Sequence, residues 1–251
     1  MKVIVATMTK NEADRYLGSA LQIWSELADT ILFLDDLSED DTREIASKFD
    51  KVRNISPPSG YSEAWGDETR YRKYLFDYAR DYADVGDVVI WLDADMIPMQ
   101  DPREFFEETC FDSFYFLLYD LWDLELAKYR NEPPFWVGHT NPRLWAIRIT
   151  EEVKTRKYDW QGRGIHCGHV PFSFDAENLC GMPPDFAILH YGYATPEDRE
   201  DRDARYQAVS HQLTGFEKKH AATILTTPDL ASLPHKSRWH LSRRTDRRIY
   251  T

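Results

Sequence analysis

Two short apolar runs of this chain end on paired acids: "TILFLDD", closing on Asp35 and Asp36, and "DVVIWLDADM", carrying Asp93 and Asp95. A carboxylate at the mouth of a buried strand is costly unless it is paired or bound to a cation. Two carboxylates separated by one alanine are hard oxygen donors of the kind Mg²⁺ and Mn²⁺ prefer. Such an ion needs few protein ligands, because water and substrate phosphates complete its shell. The chemistry indicated is metal-assisted handling of a phosphate-bearing substrate.

Positioning these acids is the task of the elements around them. "KVIVATM" reads as a buried strand. "KNEADRYLGSALQIWSELAD" reads as a helix, with Leu17, Leu21, Trp24 and Leu27 at helical spacing. "TILFLDD" is a second strand. "SEDDTREIASKF" is a helix in which Ser38 and Asp41 form a capping box, with Glu39 and Asp40 set against the helix dipole. "KVRNIS" is a third strand, "DETRYRKYLFDYARDYA" a long helix and "DVVIWL" a fourth strand. Strand and helix alternate with short connections, the pattern of an open parallel α/β sheet. Ligands of such sheets bind outside the carboxyl ends of the strands, where Asp35, Asp36, Asp93 and Asp95 converge.

From about residue 111 the pattern changes. "DSFYFLLYDLWDLELAKY" and "FWVGHTNPRLWAIRI" predict longer, aromatic-rich antiparallel strands, and 156–190 is loop-like. "TPEDREDRDARYQAVSHQL" predicts a helix capped by Thr195, with Pro196 in its first turn and Asp198 completing a capping box. Arg199, Arg202 and Arg205 form a stripe at helical spacing beside His190, within reach of a phosphate, but Asp198 and Asp201, each four residues before Arg202 and Arg205, predict ordinary exposed pairs for those two.

Composition bounds the function. With 251 residues, 42% hydrophobic and 29% charged, the chain is a globular protein with room for a sizeable core. A net charge of −12 argues against general nucleic-acid binding. The exception is the tail "HKSRWHLSRRTDRRIYT", where six Lys and Arg stand against one Asp and suit an anionic partner. Three cysteines make no even disulfide framework, no apolar stretch reaches membrane-spanning length, and the expected compartment is the reducing cytoplasm. His166, Cys167, His169 and Cys180 have a spacing that matches no usual structural zinc framework.

Taken in order, "VIVATMTKNEADRYLGSAL", "LFLDDLSEDDT", "DETRYRKYLFDYA", "VIWLDADMIP", "NPRLWAIR", "WQGRGIHCGHVP" and "AILHYGYATPEDR" resemble the family 2 glycosyltransferases of the GT-A fold, over roughly residues 2–206. The resemblance implies an open mixed α/β sheet flanked by helices, with a smaller antiparallel and loop region on the acceptor side. It implies one domain, in which 1–110 bind the donor and 111–251 form the acceptor half, C-terminal helix and basic tail. The implied activity is transfer of a sugar from a nucleotide diphosphate sugar, UDP-sugar foremost, with Mn²⁺ or Mg²⁺ as cofactor. The acceptor is left open among carbohydrate, lipid-linked sugar, protein and modified base.

Carried over by position, the resemblance implies metal ligation by Asp93, Asp95 and His190. It places Thr7, Asn11, Glu12, Asp36, Arg70, Asp93, Ala94 and Arg199 around the donor. Where the family branch has a glutamate after the histidine of "IH", this chain has Cys167. The candidates for the base that deprotonates an acceptor are then His166, His169, Asp175 and Glu177. Two other readings compete: a nucleotide-sugar-binding module without turnover, and a nucleotidylyltransferase. The second normally carries a glycine-rich loop after the first strand, and "ATMTKNEADR" has no glycine.

Overall fold

The computed structural model describes residues 1–57, 68–160, 168–171, 173–174 and 178–242. The first half alternates as expected: β1 (Val3–Thr9), α1 (Leu17–Leu27), β2 (Thr30–Asp35), α2 (Thr42–Ser47), β3 (Val52–Ile55), α3 (Glu68–Tyr82) and β4 (Val88–Trp91). β5 (Met96–Pro98), α4 (Arg103–Glu108), β6 (Ser113–Phe116), β7 (Leu118–Asp123), β8 (Lys128–Arg130), β9 (Arg143–Arg148) and α5 (Glu151–Thr155) follow. The chain continues through β10 (Leu179–Gly181), β11 (Ile188–His190), α6 (Pro196–Ala208), α7 (Gly215–Ala221) and β12 (Leu230–Ser232).

The result is an open mixed α/β sheet flanked by helices. Seven strands run in the order β10-β6-β9-β4-β1-β2-β3. β4, β1, β2 and β3 are mutually parallel, and β9 adds antiparallel to β4. The period-two alternation of the central strands sends their side chains to two cores, as buried parallel strands require. Val3, Val5, Ile31, Phe33, Val88 and Ile90 pack with Leu17, Leu21 and Trp24 of α1. Ile4, Ala6, Leu32, Leu34, Val89 and Trp91 pack with Leu75, Phe76 and Ala79 of α3.

A second sheet, in the order β12-β8-β7-β11-β5, forms a separate layer that the sequence pattern does not announce. β11 joins β7 in parallel and β5 in antiparallel, with His190 opposite Asp120 on one side and Met96 on the other. This register brings Asp95, the residue before β5, to the same end as His190 and Asp120. The backbone seals the join, since Tyr191 N–H donates to Asp95 O at 2.8 Å.

Three local expectations fail, each for a visible reason. α1 begins at Leu17 rather than within "KNEADR", because Asn11 takes a left-handed φ of 52° and the polar stretch is bonded to the loop before α2. There Asn11 N–H donates to Ser38 Oγ, Glu12 N–H to Thr42 Oγ1 and Ala13 N–H to Asp40 Oδ2. The same loop explains the second failure. Ser38 and Asp40 serve these amides rather than a capping box, and Asp41, the N-cap of α2, makes no side-chain cap bond. Third, "FWVGHTNP" is turns, and only Arg143–Arg148 of that segment is a strand. The capping box at Thr195 and Asp198 forms as expected. No helix among the described residues is long and apolar enough to cross a membrane.

Candidate active site

Two sheet ends, the segment before α1 and the middle of α6 meet around Asp95. Its carboxylate is nearly inaccessible and surrounded by cations: Arg202 Nη2 at 3.0 Å, His190 Nε2 at 3.6 Å and Arg15 Nη2 at 3.7 Å. Burial disfavours the charge, yet His190, Arg202 and Arg15 together hold this carboxyl far below the usual range. His190 in turn is fixed by a 2.6 Å hydrogen bond between its Nδ1 and Asp120 Oδ1. A carboxylate on one ring nitrogen orients the imidazole and leaves the other nitrogen facing the site, the arrangement common to metal-binding histidines. Burial pushes His190 down, but Asp95 and Asp120 outweigh it and raise its pKa to about 9.

That balance carries a sign that can be tested. The folded pKa lies above the ordinary 6.5, so the imidazolium contributes its stability in full below about pH 6.5 and loses it as pH rises through about 9. In EDTA the melting temperature of the wild type should therefore fall across this window more steeply than that of His190→Gln. Parallel curves for the two proteins would rule out the charged, doubly paired histidine.

Gly192 makes the space that these groups share. A Cβ there would collide with Arg202 Nη2 and lie 2.5 Å from His190 Nε2 and 2.9 Å from Asp95 Oδ2. The missing side chain leaves a cradle within bonding reach of one imidazole nitrogen and one carboxylate oxygen. Among the described residues no three His, Cys, Asp or Glu side chains gather as a metal-ligand group. A two-donor site completed by water and phosphate is nevertheless a usual way to hold Mg²⁺ or Mn²⁺. By these criteria Asp95 and His190 fit the ion. Gly192→Ala should cost about 1–3 kcal/mol through overpacking, read from denaturant unfolding, and should expel the Arg202 tip first. An unchanged unfolding midpoint would mean that the cradle is looser than its distances say.

Asp93 takes a different neighbour set. Its Oδ1 accepts from Arg72 Nη2 at 3.0 Å, and its Oδ2 is 3.9 Å from His169 Nε2. Burial works against ionisation here too, but Arg72 and His169 lower its pKa. Arg72 also donates to Glu68 at 3.0 Å and to His169 Nδ1 at 2.7 Å. A guanidinium only donates, so Nδ1 is the acceptor and the neutral ring carries its proton on Nε2. Burial and Arg72 push the pKa of His169 down to about 3. With its lone pair committed to Arg72, this candidate base is poorly placed to take a proton.

Most of these groups face a cavity of about 420 Å³ between α3, β7, β9 and α6, while Asp95 lies buried behind His190 and Arg202, outside its lining. Asp93, Asp120, His169 and His190 line it, with Arg72, Arg143, Arg202 and Arg205 as cations and Trp136, Trp145, Tyr193 and Tyr206 as aromatic walls. The described residues supply no ion pair to Arg205. Burial, Arg202 and Arg15 lower its pKa, which marks a cluster of guanidinium groups suited to an anion.

The other expected site residues fall in several places. Thr7 is fully buried in β1, Ala94 is buried, and Asp36 is buried just after β2, all outside the cavity lining. Asn11 is exposed and accepts from Glu39 N–H. Glu12 is buried against Arg15 at 2.8 Å, and burial raises its pKa to about 7 against the pull of that arginine. Arg70 is exposed on α3, whereas Arg72, two residues on, reaches Asp93. Arg199 donates to Tyr193 O and Trp122 O and lies over the Trp122 ring, so it braces the aromatic wall. Asp198 and Arg202 are not an exposed pair: Asp198 binds Tyr16 and Arg15 in the interior, and Arg202 binds Asp95. His166, Asp175 and Glu177 lie outside the described residues, as do Cys167 and tail residues 243–251.

Sequence reasoning misses Arg72 and Asp120, and it ranks Arg202 and Arg205 as exposed pairs although both line the cavity. A helical offset flags Arg72, which shares a face with Glu68 one turn earlier. Nothing local flags Asp120, because its role depends on the β7–β11 register.

No family model matches the chain, and no curated protein matches it at a significant level. Among solved structures it is similar to an active-site mutant of LgtC, at 12% identity over 90% of this chain and 98% of that one, with a TM-score of 0.42. HddC from Yersinia pseudotuberculosis matches at 11% identity over 80% and 97%, with a TM-score of 0.41. Glucosyl-3-phosphoglycerate synthase from Mycobacterium tuberculosis matches at 15% identity and a TM-score of 0.35, over 59% of this chain and 56% of that one. This chain spans 41% of the length of a further match, a mycobacterial protein.

Proposed function

We propose that the protein is a metal-dependent glycosyltransferase of GT-A type, moving a sugar from a nucleotide diphosphate sugar to an acceptor hydroxyl. The observation that carries this reading is the Asp95–His190 pair, in which Asp120 orients His190 and His190 faces an arginine-lined cavity. Asp95 and His190 would hold Mg²⁺ or Mn²⁺, which when bound supplies positive charge to the leaving diphosphate. Arg202 and Arg205 add positive charge beside it, where it stabilises negative charge as the glycosidic bond breaks. Arg72 holds Asp93 at the cavity wall, ready to meet the donor. Trp136, Trp145, Tyr193 and Tyr206 offer apolar faces to a sugar ring. UDP-sugar is the donor we favour, on the sequence resemblance alone.

The nucleotidylyltransferase reading needs free backbone amides after β1 to cradle a triphosphate. In this chain the amides of Asn11, Glu12 and Ala13 already donate to Ser38, Thr42 and Asp40. That observation favours sugar transfer over nucleotidyl transfer.

The test is thermal stability against UDP-, GDP-, CDP- and dTDP-sugars, each with Mn²⁺ and with EDTA. A ligand present at a hundred times its Kd adds about 2.7 kcal/mol to the folded state, so no acceptor need be known. A metal-dependent rise with one nucleotide is expected. No rise with any of them would reject the donor site. A rise without sugar transfer to any acceptor class would favour a binding module.

A further inference from the structure

Arg202 stands where the ion of the proposed reaction would bind. Its Nη2 is 3.0 Å from Asp95 Oδ2 and 3.4 Å from His190 Nε2, the two atoms assigned to the metal. An ion bound by Asp95 Oδ2 and His190 Nε2 has to take the place that Arg202 Nη2 holds against both atoms. The Gly192 cradle between the same atoms has no room to spare, since even a single methyl group on Gly192 would strike Arg202 Nη2. Guanidinium and ion are therefore alternatives. Arg202 also has a way out. Its side chain is 20% exposed, lies along the Tyr193 ring at 5.2 Å and lines the cavity beside Arg205.

Resting on the metal reading above, we propose that Arg202 is a displaceable counter-ion. Without a divalent ion it neutralises Asp95 and covers His190 Nε2. When the ion enters, Arg202 swings into the cavity and pairs with the donor diphosphate. Ion and nucleotide then bind with positive coupling, because the ion frees the guanidinium that the diphosphate needs, and the coupling is reciprocal. Arg205 follows one turn behind on the same wall and touches neither metal donor, so it serves as the comparison. Arg202 is thus a positioning residue in the empty site and a ligand-binding residue in the filled one.

The test measures Mn²⁺ affinity of the full chain, from the electron paramagnetic resonance signal of free Mn²⁺, for wild type, Arg202→Gln and Arg205→Gln. Arg202→Gln should bind Mn²⁺ roughly ten- to a hundredfold tighter than wild type, the worth of one charge-assisted hydrogen bond. Arg205→Gln, which removes equal charge without that contact, should gain about threefold or less. Saturating UDP should tighten Mn²⁺ binding to wild type and do so much less for Arg202→Gln. Equal gains for the two variants, or none for Arg202→Gln, would overturn the counter-ion role while leaving metal binding intact. No Mn²⁺ bound by any of the three, with or without UDP, would overturn the metal reading and this proposal together. Should Arg202→Gln fail to fold, nitrogen-15 spectra of the wild-type arginine side chains decide. The slow-rotating Arg202 guanidinium signal should collapse on saturation with Mg²⁺, and a signal that persists overturns the proposal.

Discussion

Asp95→Ala should lower the unfolding free energy by about 3 kcal/mol, the lower end of the cost of breaking a buried ion pair, and abolish any metal-dependent donor binding. The carboxylate is the common partner of Arg202, His190 and Arg15, so its removal leaves up to three cationic groups facing one another. Two of them have an escape, which is why the lower end applies. His190 can shed its proton once Asp95 no longer holds it, and Arg202 can turn toward the cavity. Arg15 cannot, because its side chain is only 8% exposed and stays between Glu12 and Asp198. The measurement is urea unfolding with and without Mn²⁺ and UDP. A loss below about 1 kcal/mol with an unchanged m-value, typical of an exposed pair, would show that Asp95 is not the centre of the charge cluster.

A comparable loss, about 3–5 kcal/mol, is expected for Asp198→Ala, although that residue lies on no cavity wall. Asp198 is fully buried, and its Oδ2 accepts from Tyr16 OH at 2.6 Å and from Thr195 Oγ1 at 2.8 Å. Its Oδ1 lies 3.5 Å from Arg15 Nη2. It therefore does two jobs. It closes the capping box of α6, worth about 1 kcal/mol, and it ties the loop after β1 to the helix that carries Arg202. α7 supplies the control, because Thr214 and Glu217 form the same local motif on the surface. Glu217→Ala should cost about 1 kcal/mol or less. Similar losses for the two variants would reduce Asp198 to a helix cap.

Much of the N-terminal half was legible in the chain. Continuous apolar runs in "VIVATM" and "DVVIWL" mark strands covered on both faces, and Leu17, Leu21, Trp24 and Leu27 lie on the buried face of α1 as their spacing predicts. Such patterns are local and repeat several times, so they survive without knowledge of neighbours. The polar loops were harder to read. Ser38 and Asp41 satisfy a capping-box pattern, yet Ser38 and its neighbour Asp40 are drawn to amides about 27 residues away. Local sequence does not register that competition.

At the site, Asp95 and His190 were recognisable in the sequence, and the structure sets them 3.6 Å apart. The arginines were not separable by sequence. Arg70 and Arg72 both sit in a charged helix, as do Arg199, Arg202 and Arg205, and only the rotation of each helix against its sheet selects which guanidinium faces inward. Asp120 has no sequence signal at all, since it acquires its histidine through pairing of strands 70 residues apart. The strand–helix alternation of the parallel half, the helix faces and the acid-ended strands follow from short-range periodicity and the cost of burying charge. The charge pairs that define the site arise from contacts between distant segments, whose register and rotation no short stretch of the chain encodes.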